Sequence, residues 1–287
     1  MKRLEITEVI FKILSYVFIT ALVLVTLYPF IYSISMAISE KQAVETGQVF
    51  LLPIGVQFEA VGKLLFGEFS KTFWKAYTNT LFYTLYGTIF SIVLSIFAAF
   101  ALSRRNLMGK GLIQFMIVFT MWFSAGTIPM WLNFIDLGVN NRWAIIYGFG
   151  LQAFNILLLR NYFNGISREI EEASIVDGAN QFQVLTKIYV PMSKSAIATV
   201  TLFYALNRWN GYFWNRQLVD ETGHPLQVVL NSLMERLKNP GEVVLTNIAA
   251  ENLIFSAIVL SIIPIIIIYP FIQKYFAQGV NVGGVKE

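Results

Sequence analysis

Glu172-Ala173-Ser174-Ile175-Val176-Asp177-Gly178-Ala179, followed after a helical interval by Ile188-Tyr189-Val190-Pro191, is a polar interruption in a chain that otherwise reads as membrane. Apolar spans gain nothing structurally from a long charged hairpin between two of them. The segment therefore reads as a docking element for something in the aqueous phase. Ser167 stands where it can cap a short helix, and Glu169, Glu171 and Glu172 lie in its first turns, where acidic groups favour the positive end of the helix dipole. Ile170, Ala173, Ser174 and Asp177 fall at i, i+3, i+4 and i+7 and form one face of mostly small side chains, which lets a partner approach closely. Gly178 can take a positive φ and so ends this helix. A second helix is predicted from Gln181 to Tyr189, with Val184, Leu185 and Ile188 available to pack; Pro191 then stops or redirects the chain.

The 287 residues are 56% hydrophobic and only 13% charged, with a mean hydropathy of +0.62. A soluble domain of that balance would expose apolar patches and aggregate, so an integral membrane protein is indicated. The formal net charge is +4. Its basic residues cluster at the ends of apolar runs, which suits lipid headgroups better than nucleic acid. The absence of cysteine excludes disulfides, thiolate catalysis and Cys-based metal sites. His224 is the one histidine, so no multi-histidine metal cluster exists.

A helix needs roughly 20 apolar residues to cross about 30 Å of hydrocarbon. Six candidate spans meet this, at about 13–37, 77–102, 111–134, 143–162, 195–214 and 247–272. The first is longer than a secretory signal core and is read as retained. Asn207, Arg208 and Asn210 make the fifth the least regular. Arg104, Arg105 and Lys110 lie between spans two and three, and Arg160, Arg168, Lys187 and Lys194 flank the hairpin at 164–194. Lys2, Arg3 and Lys12 precede the first span. The excess of positive charge places the hairpin and both termini in the cytoplasm, in a multi-pass chain. Trp74, Trp131, Trp143 and Trp214 then fall near the outer interface, which suits an amphipathic indole. The outer segments 39–75 and 215–246 are long and broken by glycine and proline, the second around an amphipathic stretch from Leu226 to Leu237. No internal repeat is visible, and the chain reads as one membrane domain, 1–287.

The hairpin closely resembles the cytoplasmic coupling motif of permease subunits in ATP-binding-cassette importers, written E-A-A, three residues, G-A, and ending I-x-L-P. Ser174 stands for the second alanine and Val190 for the leucine. Arg208-Trp209-Asn210 and Pro225-Leu226-Gln227 are similar to the carbohydrate-uptake branch typified by the maltose transporter, and the tail from Gly279 to Lys286 to the oligosaccharide subgroup of LplC- and YtcP-type permeases. The resemblance implies an all-α, six-span fold of the type I importer permeases, in the cell membrane of a bacterium. It further implies that Glu172, Ala173, Ser174, Asp177, Gly178, Ala179 and Pro191 couple the chain to an ATPase. The expected partners are a second, homologous permease, two ATP-binding-cassette ATPase subunits, an extracellular solute-binding protein, membrane lipid and an oligosaccharide. No cofactor is expected on this chain; ATP and Mg would be used by the partner ATPases. The stretch 226–237 would face the binding protein.

A charge inside a span is expensive and marks function by default. Arg208 lies roughly 20 Å into span five at 1.5 Å per residue. With Asn207, Trp209, Asn210, Tyr212 and Trp214 it forms a candidate sugar path, in which rings stack on sugar faces and polar groups bind hydroxyls or carboxylates. An acidic, uronate-containing oligosaccharide is one expectation. Alternatively Arg208 snorkels outward or pairs with an acid such as Glu251. Pro129 with Gly126, and Pro264, permit bends in spans three and six. No G-x-x-x-x-G-K-[S/T] phosphate loop occurs, so the chain is a transporter subunit whose energy comes from elsewhere. An ion-coupled secondary carrier is the alternative, although midplane carboxylates and an inverted repeat are missing. An intramembrane enzyme lacks any dyad or metal site.

Overall fold

In hydrocarbon every backbone polar group must bond within its own segment, and this chain meets the demand with helices. The structure, a computed structural model, describes residues 6–238 and 247–279, which contain helices and no strand. In chain order they are α1 (Ile6–Ile38), α2 (Lys41–Glu45), α3 (Glu59–Leu65), α4 (Ser70–Ser103), α5 (Lys110–Trp122), α6 (Thr127–Asp136), α7 (Arg142–Tyr147) and α8 (Ala153–Asn164). There follow α9 (Arg168–Val176), α10 (Gln181–Val184), a π-helical turn (Leu185–Tyr189), α11 (Val190–Met192), α12 (Lys194–Trp209), α13 (Phe213–Leu218), α14 (Leu226–Lys238) and α15 (Ala250–Gly279). Lys2, Arg3, Pro240, Gly241 and the tail from Val280 lie outside the described residues.

Three of these helices are long and apolar enough to cross a membrane: Thr7–Ile38, Ser70–Ser103 and Ala250–Pro270. They occupy the first, second and sixth predicted spans, and α4 begins seven residues before the expected Tyr77. The third span is two helices, α5 and α6, bent by 116°. The break falls at Gly126, whose φ is +91°, and Pro129 sits in the first turn beyond it. The fourth predicted span likewise divides into α7 and α8; the fifth is α12 as far as Trp209, with α13 starting at Phe213 and running past its expected end. Glycine explains both breaks: Gly148 and Gly150 follow α7, and Gly211 follows α12. A Cβ on Gly148 would sit 2.5 Å from the Phe134 ring, so the chain turns there because only glycine lets it close on its neighbour. Pro264, by contrast, lies within uninterrupted α15.

The chain forms two compact units, one running through Trp74 and including Leu230–Pro264, the other Lys75–Val229 with the chain from Ile265. In the first, Asn252 is fully buried and holds two helix ends together. Its amide donates to the carbonyls of Met36 (2.7 Å) and Ser39 (2.9 Å), and its oxygen accepts from Ala249 N–H (2.9 Å). These are the orphan groups at the end of α1 and the start of α15, which would otherwise face an apolar core unpaired. Met36, Ala43, Val44, Val49 and Ala249 form that core. The apolar window of α1 has no buried share, and Tyr16 and Val25 are exposed, as befits a surface against hydrocarbon.

In the second unit α4 packs with α8 and α12 around Ala99, Leu159, Phe163, Val200 and Tyr204. Tyr204 hydroxyl lies 2.7 Å from Ser95 Oγ and accepts from Gln152 N–H at 3.2 Å. The loop before α14 is pinned to α4 by three side chains. Asn79 donates to the carbonyls of Thr222 and His224, Tyr83 donates to Gly223, and Thr80 accepts from Leu226 N–H. His224 is thus a turn residue, its ring 3.1 Å from Val219 carbonyl. Trp214 packs half-buried against Phe149 (5.2 Å) and Phe213.

Candidate functional site: a docking hairpin and a polar cavity

The hairpin at 164–194 is built by local chemistry. Helix α9 closes with a Schellman motif: Ala179 N–H bonds Ser174 carbonyl at 2.9 Å, and Gly178 N–H bonds Ile175 carbonyl at 3.0 Å. Gly178 has φ +85°, the left-handed conformation this cap requires. Ser167 occupies the N-cap position, but its side chain makes no capping bond. The capping side chain is on the second arm, where Asn180 and Gln183 form a reciprocal capping box at 2.9 Å each way. Sequence reading passed over Asn180, although N-x-x-Q after a glycine stop is a legible signal.

Pro191 neither stops nor redirects the chain. It lacks the N–H that would bond Lys187 carbonyl, and the preceding turn widens to a π-helix instead of breaking. The backbone continues through α11 into α12 with one irregular residue, Ser193. Val184 and Leu185 are buried and Ile188 partly so, as the pattern predicts. On the other face Glu172, Ala173, Asp177, Gly178 and Pro191 are exposed, while Ser174 and Ala179 are half-buried. The Ser174 hydroxyl turns back to Glu171 carbonyl at 2.7 Å. Val176 and Phe182, 87% and 62% exposed, add an apolar patch that the motif did not single out. Exposed large apolar groups beside carboxylates are the makings of an interface.

Glu171 faces inward. It forms an ion pair with Arg104 and accepts from Tyr189 hydroxyl at 2.7 Å. Arg104 lies over the rings of Phe100 (4.0 Å) and Tyr189 (4.9 Å). Burial lowers the Arg104 pKa from its ordinary value, an effect the adjacent Tyr189 opposes.

At the far end of α12 a cavity of about 540 Å³ is lined by Asn207, Arg208, Asn210, Tyr212 and Trp214 from the predicted path. Trp209 is not among its walls; it is buried and meets Tyr77 edge-on at 6.0 Å. Phe149, Phe203, Phe213 and Asn215 join the lining: Phe203 lies one turn before Asn207 on α12, Phe213 and Asn215 share α13, and Phe149 comes from the loop after α7. Asn215 is buried with its side-chain oxygen unpaired. Arg208 is 5% exposed. Its guanidinium bonds Ile145 carbonyl, Ile146 carbonyl (3.3 Å) and Phe149 carbonyl (2.6 Å). These are groups at and just past the end of α7, where a cation complements the dipole. The guanidinium does not snorkel, and among the described residues it pairs with no carboxylate.

An apolar, all-helical chain with an exposed polar hairpin leading into a cavity-lining helix fits a membrane transport component. The chain belongs to the family described as binding-protein-dependent transport system inner membrane component, whose pattern matches residues 64–282. It is thus membrane-embedded and a transport component rather than a catalyst. It is 34% identical over 284 residues to the polygalacturonan/rhamnogalacturonan transport system permease protein YtcP of Bacillus subtilis (strain 168), covering 96% of this chain and 98% of that one. Protein LplC of the same organism is 30% identical over 283 residues, covering 96% and 95%. A crystal structure of a bacterial ABC transporter involved in the import of the acidic polysaccharide alginate contains a chain 45% identical, with a TM-score of 0.89, covering 96% of this chain and all of that one.

Proposed function

We propose that this chain is the permease subunit of an ATP-driven, binding-protein-dependent importer of acidic, uronate-containing oligosaccharides. The observation that carries the proposal is the continuity from the hairpin, with its exposed face of Glu172, Ala173, Asp177 and Gly178, through α12 to the polar cavity. A partner that moves the hairpin moves a helix roughly 20 Å long whose other end lines the path. The partners are a second homologous permease, two ATPase subunits that use ATP and Mg, and an extracellular solute-binding protein. The hairpin and both termini face the cytoplasm. Alternation between inward- and outward-open states then follows from rigid-body movement.

The acidic character of the substrate is supported by the relatives named for polygalacturonan/rhamnogalacturonan and alginate, not by Arg208, whose guanidinium is engaged by carbonyls. Rings at Tyr212, Phe213 and Trp214 offer sugar-stacking faces, and Asn207, Asn210 and Asn215 offer polar contacts. Purification of the tagged chain from its own host, followed by reconstitution with its binding protein, tests the reading. The expected result is co-purification of an ATPase and ATP-dependent uptake of an oligogalacturonide or oligoalginate in preference to a neutral maltooligosaccharide. Uptake driven by an ion gradient without ATP would overturn it in favour of a secondary carrier.

A further inference from the structure

Three elements converge on the inner side of the hairpin: the end of α4, the first arm α9, and the π-helical turn of the second arm. Their meeting point is one cation. Arg104, the residue after α4, pairs with Glu171 of α9, and the second oxygen of Glu171 accepts from Tyr189 of the π turn. The guanidinium rests on Phe100 of α4 and on the Tyr189 ring, and those two rings meet edge-on at 5.1 Å. Phe163 at the end of α8 closes the box, 5.4 Å from Tyr189. Among the described residues no acceptor reaches Arg104 Nε and Nη2, and Glu171 and the ring faces offset its charge. Lys110 Nζ donates to Arg104 carbonyl at 2.9 Å and fixes the turn that presents it.

We propose that Arg104 is the positioning residue of a rigid joint that passes movement of the docking hairpin to α4, with Glu171 and Tyr189 as its contacts on the hairpin side. This rests on the reading of the hairpin as the docking element. The docking face and the joint use different residues: Glu172, Ala173, Asp177 and Gly178 point to solvent, whereas Glu171 and Tyr189 point to Arg104. Glu171 and Glu172, adjacent and chemically alike, therefore have opposite roles. A partner bound to the outer face would tilt α9. The second arm follows through the short Gly178–Ala179 turn and the Tyr189–Glu171 hydrogen bond, and α4 follows through the cation and the Phe100–Tyr189 ring contact beside it. A partly buried ion pair set between rings ties the hairpin and α4 to one geometry, and the close-packed rings around it pass displacement on. The π turn serves the joint, since it carries Tyr189 ahead of Pro191.

The test uses the assembled complex with its ATPase and binding protein in proteoliposomes, comparing Arg104→Gln, Arg104→Lys, Glu171→Gln and Tyr189→Phe. Arg104→Gln and Glu171→Gln are expected to assemble with the ATPase at normal stoichiometry and to hydrolyse ATP. They should deliver about ten-fold less sugar per ATP, the scale of coupling energies between linked sites. Arg104→Lys keeps the charge and should recover part of that loss. Tyr189→Phe removes one hydroxyl, keeps the ring, and should lose less than Arg104→Gln. Normal sugar per ATP in Arg104→Gln would overturn the joint, as would loss of ATPase binding in every variant, which would assign these residues to docking or folding. A wild-type chain that brings down no ATPase would instead refute the function proposed above.

Discussion

Gly178 has φ +85°, and nothing lies within 4 Å of where a Cβ would stand. Backbone strain alone therefore separates glycine from other residues there, about 1–2 kcal/mol for an ordinary L-residue. Gly178→Val should abolish ATP-driven uptake while the chain still inserts and accumulates, and Gly178→Asn, which tolerates the left-handed region, should retain much of it. Transport by the valine variant at the normal rate would remove the hairpin's assignment. Arg208 poses the opposite problem, since space rather than conformation decides. A Cβ on Gly87 would lie 2.8 Å from Arg208 Nε, so α4 needs glycine for the arginine to reach the carbonyls beyond α7. Arg208→Gln should destabilise the protein by about 1–3 kcal/mol, the scale of leaving buried polar groups unpaired. It should lower uptake of acidic and neutral oligosaccharides equally, and Gly87→Ala should reproduce the effect. A loss confined to acidic substrates, measured by uptake of both, would return the guanidinium to the sugar.

At the scale of elements, helix ends rather than helix centres set the geometry. The capping box at Asn180 starts the second arm where the Schellman glycine ends the first, so the turn is closed from both sides. Asn180→Ala should cost about 1 kcal/mol and loosen the hairpin, seen as faster amide exchange across 180–189 with the spans unaffected. Asn252 plays the corresponding part for α1 and α15. Asn252→Leu would leave two carbonyls and an N–H short of a partner and should lower the unfolding midpoint in detergent more than the similarly buried Ser256→Ala, whose one bond is 3.3 Å long. The hairpin's first arm, its glycine stop and its packing residues were legible because each depends on neighbours within a few positions. The fate of Pro191 was not, because a proline can end a helix or be absorbed by a wider turn, and packing of Tyr189 against Phe100 and Phe163 favours the latter.

For the whole molecule, orientation and substrate class are the properties to test. Charge in the short loops predicts a hairpin inside the cell. A single thiol introduced at the exposed Val176 should be labelled only after the membrane is opened, by reagents that do not cross it. Labelling in intact cells would reverse the topology and detach the hairpin from any cytoplasmic motor. The family and its relatives bear on the chain over nearly its full length, so the transport class rests on far more than one motif.

Composition and the length of the apolar runs already indicated a helical membrane chain, since runs of about 20 residues are helix-length spans that satisfy their backbone within the segment. The two arms of the hairpin and the glycine stop between them were equally readable, because such turns act over a few residues. Tertiary structure alone decided which glutamate faces out, where the fourth and fifth predicted spans break, and that Arg208 bonds carbonyls. Each of those outcomes turns on residues distant in the chain arriving within a few ångströms, and no local pattern encodes that.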